Sequence, residues 1–264
     1  MKANGIIALL TDFGSSDWFV ASMKATATTI YPDVRTIDIT HQITPGSIAE
    51  GAFVLKQCFD DFPPGTTFVV VVDPGVGTSR EPVVIAAGDY YFVGPNNGIL
   101  SPTLSQLGIL EAHLVESRNW MGKKRSSTFH GRDLFAPAGA LVASGRPISD
   151  AGPSLYNLVS LQFPEPQEIG DSLTGQILYF DRFGNGLSNF RIEHLGAIQI
   201  AGVRVEDTLF PLANTFGEVD DGAPLCYWGS AGFLEVALRN GNAKTNAKLT
   251  TLSRVWPVVA PTST

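Results

Sequence analysis

Asp73 and Arg80 flank a Pro/Gly-rich turn, Val72-Asp73-Pro74-Gly75-Val76-Gly77-Thr78-Ser79-Arg80, directly after the most strand-like run in the chain. A carboxylate there can orient a water or take its proton, and a guanidinium can stabilise developing negative charge. The glycines allow a ligand to approach the backbone. Spacing alone is equally consistent with a turn stapled by an Asp–Arg pair. His130 stands in Ser127-Thr128-Phe129-His130-Gly131-Arg132-Asp133, at the opening of a helix, where it can be held against a pocket. By itself it is also explained as a helix-start residue. His41, His113 and His194 have no comparable company and are assigned structural roles.

Asp12, in Leu9-Leu10-Thr11-Asp12-Phe13-Gly14, follows an apolar run, with Asp17 shortly beyond. A carboxylate at a strand end can accept two hydrogen bonds from a ribose diol; the alternative is that Asp12, or Ser15 and Ser16, caps the next helix. The letters DFG match the kinase magnesium motif, but no Gly-rich loop, strand lysine or HRD segment accompanies them. Asp12, Asp73 and His130 could be taken as metal ligands, yet no HxH, HxxxH or carboxylate cluster supports that, and no metal is expected. Farther on, Phe180-Asp181-Arg182-Phe183-Gly184-Asn185-Gly186 offers an amide suited to an adenine edge and rings suited to stacking. That segment, Pro211 to Phe216, Gly94-Pro95-Asn96-Asn97-Gly98 and Gly229-Ser230-Ala231-Gly232 are all equally well explained as turns.

The elements that must position these residues follow from periodicity. The first part of the chain alternates apolar runs with amphipathic stretches, the pattern of βα units around a buried, largely parallel sheet. Strands are expected at Ile6–Leu10, Val34–Ile39 and Thr67–Val72, with a hairpin of Val83–Ala87 and Tyr90–Val93 around Gly88-Asp89. Helices are expected from Asp17 to Tyr31, after a Ser47/Glu50 capping box, and from Asp133 to Ser144 with Pro137 in its first turn or bending it. From about Gly145 to Asp171 the texture is proline-rich and without a convincing strand, as in a linker. Beyond it, Gly175–Phe180, Ala197–Ile200, Val203–Val205, Pro224–Trp228 and Phe233–Leu238 are short strands separated by turn residues, as in a small β-barrel or sandwich. The expected domains are residues 1–150 (α/β), a linker at 151–173 and residues 174–264 (β-barrel).

Composition bounds the class. The 264 residues are 44% hydrophobic and only 16% charged, enough apolar material for a large core, with a hint of further burial by self-association. A net charge of −7 with a single short basic cluster, Lys123–Arg125, argues against nucleic acid as a partner. Cys58 and Cys226 lie far apart and are expected to be buried thiols in a reducing compartment. No run approaches the ~20 apolar residues of a membrane span, and none has the form of a signal peptide. The expectation is a cytoplasmic protein without a membrane partner.

Taken in order, LLTDFG, TPGSIAEGA, VVDPGVGTSR, GPNNG, TFHGRD, DRFGN and SAGFLEVA resemble the S-adenosylmethionine hydroxide adenosyltransferases, the family that includes fluorinating and chlorinating enzymes. The resemblance covers nearly the whole chain. It implies an N-terminal α/β domain, a C-terminal β-barrel, and a homotrimer with substrate between neighbouring protomers. It places Asp73, Arg80 and His130 on the catalytic set of the water-using branch; the halogenating branch differs at the Asp and His positions. Fluorinating members also carry an inserted loop where Pro82 here runs into a hairpin. By the same matching, Asp12 holds the ribose hydroxyls, while Asp17, Asp181 and Ser230 lie near the methionine end. Phe183, Asn185 and Phe216 lie near adenine. Gly46 stands in the segment where halogenating relatives have Trp. The implied reaction is hydrolysis of S-adenosyl-L-methionine to adenosine and L-methionine, with no cofactor. A halide-using synthase and a non-catalytic adenosine-binding protein are the alternatives.

Overall fold

The computed structural model describes residues 1–123, 126–170 and 172–261, so Lys124 and Arg125 of the basic cluster lie outside the described residues. The chain divides into two compact units, Met1–Gln162 and Phe163–Thr264.

The first unit is built on a six-stranded sheet. In chain order it contains β1 (Ile6–Thr11), α1 (Phe19–Ile30), β2 (Arg35–Thr40), α2 (Ile48–Cys58), β3 (Thr67–Val71), β4 (Pro82–Ala87) and β5 (Tyr90–Pro95). Then follow α3 (Ser101–Leu107), β6 (Ile109–Leu114) and α4 (Ala136–Ala143). The strand order is β2-β1-β3-β5-β4-β6. β1 pairs in parallel with β2 and β3, and β3 with β5, whereas β4 runs antiparallel to both β5 and β6. β1 and β3 are buried along their whole length, as continuous apolar runs require when helices cover both faces. Met23 and Ala27 of α1, and Ala136, Ala138 and Ala140 of α4, pack with Ile7, Leu9 and Val69 in one core cluster. Gly139 lets α4 approach β3 closely; a Cβ there would stand 2.4 Å from Val69 Cγ2.

Several local expectations are corrected. Ser47 precedes α2 but makes no side-chain cap; Glu50 instead accepts from the Thr44 amide at 3.3 Å, bracing the loop ahead of the helix. The helix expected from Asp133 begins earlier as a π turn, Gly131–Phe135, and becomes α-helical only at Ala136, with Pro137 in the first α turn. Proline lacks the N–H that an interior position must donate, and that first turn does not require one. Within the stretch expected to lack strands, Gln167–Ile169 forms a short one, β7. Cys226 is buried, with its thiol pushed up to about 12 by burial; Cys58 is only partly buried, its thiol raised to about 11.

The second unit is an antiparallel, barrel-like sheet. After β7 come β8 (Ser172–Phe180), β9 (Gly186–Arg191), α5 (Ile192–Leu195), β10 (Ile200–Val205) and β11 (Thr208–Pro211). The remainder are β12 (Pro224–Trp228), β13 (Phe233–Leu238), α6 (Ala243–Asn246) and β14 (Arg254–Val259). The order is β11-β10-β14-β8-β9-β13-β12, with β7 beside β8, and a Leu212–Cys226 bridge brings the two ends together. Ile177, Phe190, Val203, Phe210, Leu234, Val236 and Val255 fill the interior. The expected strand Ala197–Ile200 is not a separate element: Ala197 lies in a turn after α5, and one strand runs from Ile200 through Val205. Among the described residues, no helix is long and apolar enough to cross a membrane.

Candidate active site

β1 lies between β2 and β3, so consecutive chain segments leave it in opposite directions across the sheet. Loops diverge at the carboxyl ends of such strands and open a crevice there. Asp12 follows β1 and Asp73 follows β3, and both line a cleft of about 340 Å³. His130, Gly131 and Thr128 reach the same cleft from the segment before α4. Five apolar residues complete its wall: Phe13, Phe19, Val71, Val76 and Phe129.

Asp73, Arg80 and His130 form one hydrogen-bonded unit. Arg80 Nε donates to both Asp73 carboxylate oxygens at 2.9 Å, and a terminal guanidinium nitrogen also contacts Asp73 Oδ2. That same nitrogen lies 2.7 Å from His130 Nδ1. The Asp73 and Arg80 side chains are 5% and 10% exposed, and the guanidinium stands 5.1 Å from the Phe135 ring centre. The stapled turn expected from spacing therefore exists, and His130 is joined to it. Because Arg can only donate, His130 Nδ1 is the acceptor, which puts the ring hydrogen of the neutral imidazole on Nε2. Burial, then the Arg80 charge, hold the His130 pKa below the ordinary histidine value; Asp73 and Asp133 oppose them.

His130 immediately precedes the π turn, whose extra residue re-aims side chains within the helical path. Gly131 is packed against Phe13, and a Cβ there would fall 2.8 Å from Phe13 Cε2. Phe13, Phe19 and Phe129 meet edge to face at 5.1 to 6.0 Å. These rings were not foreseen as part of the site; the only sign in the sequence is that Phe13 adjoins Asp12 and Phe129 adjoins His130.

Asp12 is not a helix cap. Trp18 occupies the N-cap of α1 without a side-chain bond, and Asp12 Oδ2 accepts from the Gly46 amide at 2.8 Å. Gly46 has φ +74°, a conformation that favours glycine. Asp17 is exposed and is not among the residues lining the cleft.

In the second unit, Asp181, Phe183, Asn185 and Phe216 line a second hollow of about 580 Å³. Asp181 organises it: Oδ1 accepts from the amides of Phe183 and Asn185 at 2.9 and 2.8 Å, and Oδ2 from the Asn185 side chain at 2.8 Å. Asn185 is buried while Phe183 is 74% exposed, leaving its ring face open to a planar ligand. Phe216 packs against Tyr227 at 5.0 Å. Ser230 sits exposed in the tight β12–β13 turn, outside the residues lining this hollow. Among the described residues, no group of three or more His, Cys, Asp or Glu side chains is spaced to hold a metal ion.

A family model described as SAM hydroxide adenosyltransferase N-terminal domain matches residues 7–152, and its C-terminal counterpart matches residues 175–256. The chain belongs to the SAM hydroxide adenosyltransferase family. An "(R)-S-adenosyl-L-methionine hydrolase" from Salinispora tropica is 39% identical over 243 residues, 90% of this chain and 91% of that protein. A "Fluorinase" from an Actinoplanes species is 29% identical, over 90% and 92% of the two chains. A crystal structure of a conserved protein from Thermotoga maritima superposes with a TM-score of 0.87 at 35% identity, covering 95% of this chain and 99% of that one.

Proposed function

We propose that this protein hydrolyses S-adenosyl-L-methionine to adenosine and L-methionine. The observation that carries the reading is the hydrogen-bonded Asp73–Arg80–His130 unit, whose Asp73 and His130 line a cleft together with Asp12. Methionine leaves C5′ as a neutral thioether, so departure needs no general acid. The barrier lies in the nucleophile, since water has a pKa near 15.7. The water oxygen attacks C5′ in line, the C5′–S pair leaves on sulfur, and the proton is released from the attacking oxygen.

Each member of the set has a role that fits its hydrogen-bonding capacity. Arg80 stabilises the developing hydroxide. Asp73 is the acceptor that orients the water and takes its proton. His130, with its lone pair turned to Arg80, presents Nε2–H and holds the oxygen in place. Asp12 keeps one carboxylate oxygen for the ribose diol, the other being held by Gly46. Asp12 and Asp73 together complement the sulfonium charge. Phe183 and Phe216 stack on adenine and Asn185 reads its edge; Asp17, Asp181 and Ser230 attend the methionine end. The enzyme works in the cytoplasm as a homotrimer with active sites between protomers, on a small molecule alone, using no metal or cofactor.

Incubation with S-adenosyl-L-methionine in ¹⁸O-water tests this reading. Mass spectrometry should find the heavy oxygen at the 5′ position of adenosine, with or without chloride, fluoride or a chelator. Absence of adenosine, or 5′-halo-5′-deoxyadenosine as the product with halide present, would sink it.

A further inference from the structure

His41 lies outside the Asp73–Arg80–His130 set, yet its side chain is hydrogen-bonded to Thr11, the residue next to Asp12. It is 9% exposed, just beyond the end of β2, and its ring spans two neighbours. Nδ1 is hydrogen-bonded to Thr11 Oγ1 at 2.9 Å, and Nε2 lies at an ion-pair distance of 3.1 Å from Asp38 Oδ1 without hydrogen-bond geometry. Asp38 Oδ2 is in turn held by Lys24 Nζ at 2.6 Å. Burial raises the Asp38 pKa, but the Lys24 and His41 contacts outweigh it and keep the carboxyl below its ordinary value.

The Thr11 hydroxyl and His41 Nδ1 share one hydrogen bond, and the Thr11 oxygen also accepts from the Phe13 amide at 3.2 Å. The backbone of His41 joins in, its carbonyl accepting from the Gly14 amide at 2.7 Å. Asp12 immediately precedes those two anchored amides, and its own Oδ2 is fixed by Gly46 at 2.8 Å, in the loop that continues from His41. The two loops are therefore laced at three points around one carboxylate.

We propose that His41 is a positioning residue for Asp12, acting through Thr11 and supported by Asp38 and Lys24. Its loss weakens recognition of the ligand's ribose diol and leaves attack by water nearly unaffected. This rests on the reading of Asp12 as the ribose-binding carboxylate.

The test compares binding of adenosine and 2′,3′-dideoxyadenosine by calorimetry in the wild type, His41→Phe, His41→Asn and Asp38→Ala, alongside steady-state turnover. The wild type should prefer adenosine by at least tenfold. His41→Phe should reduce that preference at least fivefold and raise KM, with kcat within about twofold. Asp38→Ala, changed at a half-exposed position, should move the same way by less. His41→Asn places an amide oxygen near the Nδ1 position and should restore most of the preference. If His41→Phe does not fold, Thr11→Val gives the same readout. A wild type that does not discriminate between the nucleosides overturns the ribose assignment of Asp12 and the inference with it. A discriminating wild type whose preference survives in His41→Phe, or a variant that loses kcat with KM and preference unchanged, overturns the positioning role alone.

Discussion

Replacing Arg80 by Ala should do more damage to folding than a surface charge deletion, and the structure says why. The guanidinium makes its contacts with a carboxylate that is 5% exposed, and a further one with His130. Removing one partner of a buried pair leaves an uncompensated charge in a poorly solvated place, at a cost of about 3–5 kcal/mol. Loss of the Phe135 contact adds ~0.5–2 kcal/mol. For a unit of this size each kcal/mol lowers Tm by roughly 2–4 °C, so a fall on the order of 10 °C is expected. The penalty lies mainly in the orphaned Asp73, which makes the reasoning refutable by a double-mutant cycle in urea. Asp73→Asn in the Arg80→Ala background removes that charge and should recover about 2 kcal/mol relative to Arg80→Ala alone. If the double variant is as unstable as the sum of the two single ones, the pair is not coupled through burial and the account is wrong. Asp73→Asn should abolish turnover in either background.

Two further outcomes follow from the titratable groups. The folded-state pKa of His130 is lowered, so its neutral form is the one the fold prefers. Stability should hold at neutral pH and fall as pH drops below the unfolded value near 6.5 towards the lower folded one, while activity should fall only as pH passes through the folded value. Followed by NMR, Arg80→Gln should move the His130 titration upward and Asp73→Asn should move it downward; equal movement in both would contradict the charge arrangement. In the second unit, burial and nearby Asp181 raise the Glu235 pKa despite its 2.7 Å hydrogen bond from Tyr227. A raised carboxyl binds its proton more tightly folded than unfolded, so its ionisation costs stability as pH rises from about 4.5. Glu235→Gln should therefore gain stability over the wild type at pH 7 and show little difference at pH 4, measured by urea unfolding at both.

The site was legible in pieces. Asp12 and Asp73 could each be marked because polar residues after apolar runs stand out against strand periodicity, and His130 because it stands at the opening of a helix. Pro224–Trp228 and Phe233–Leu238 could be bounded to the residue, since turn residues punctuate both ends. β9, β11, β14 and the pair α3–β6 went unmarked. In β9, Gly-Leu-Ser-Asn-Phe-Arg, the buried Ser188 and Asn189 are satisfied by partners far along the chain, Leu234 and Pro164, so no alternation betrays the strand. The capping box was a false local signal, because Glu50 found its donor outside the helix.

The sequence by itself determined which chemistry was available: a carboxylate and a guanidinium across a turn, a histidine before a helix, and an ordered set of motifs that assigns a family. Only the tertiary structure decided which groups share one site and in which protonation geometry. Arg80 and His130 are 50 residues apart, and Thr11 and His41 are 30 apart, so neither contact leaves a mark in local spacing. The parallel order β2-β1-β3 is what brings those loops to a common edge. The hydrogen-bonding direction of the His130 ring then follows from its neighbour, because Arg80 can only donate to it.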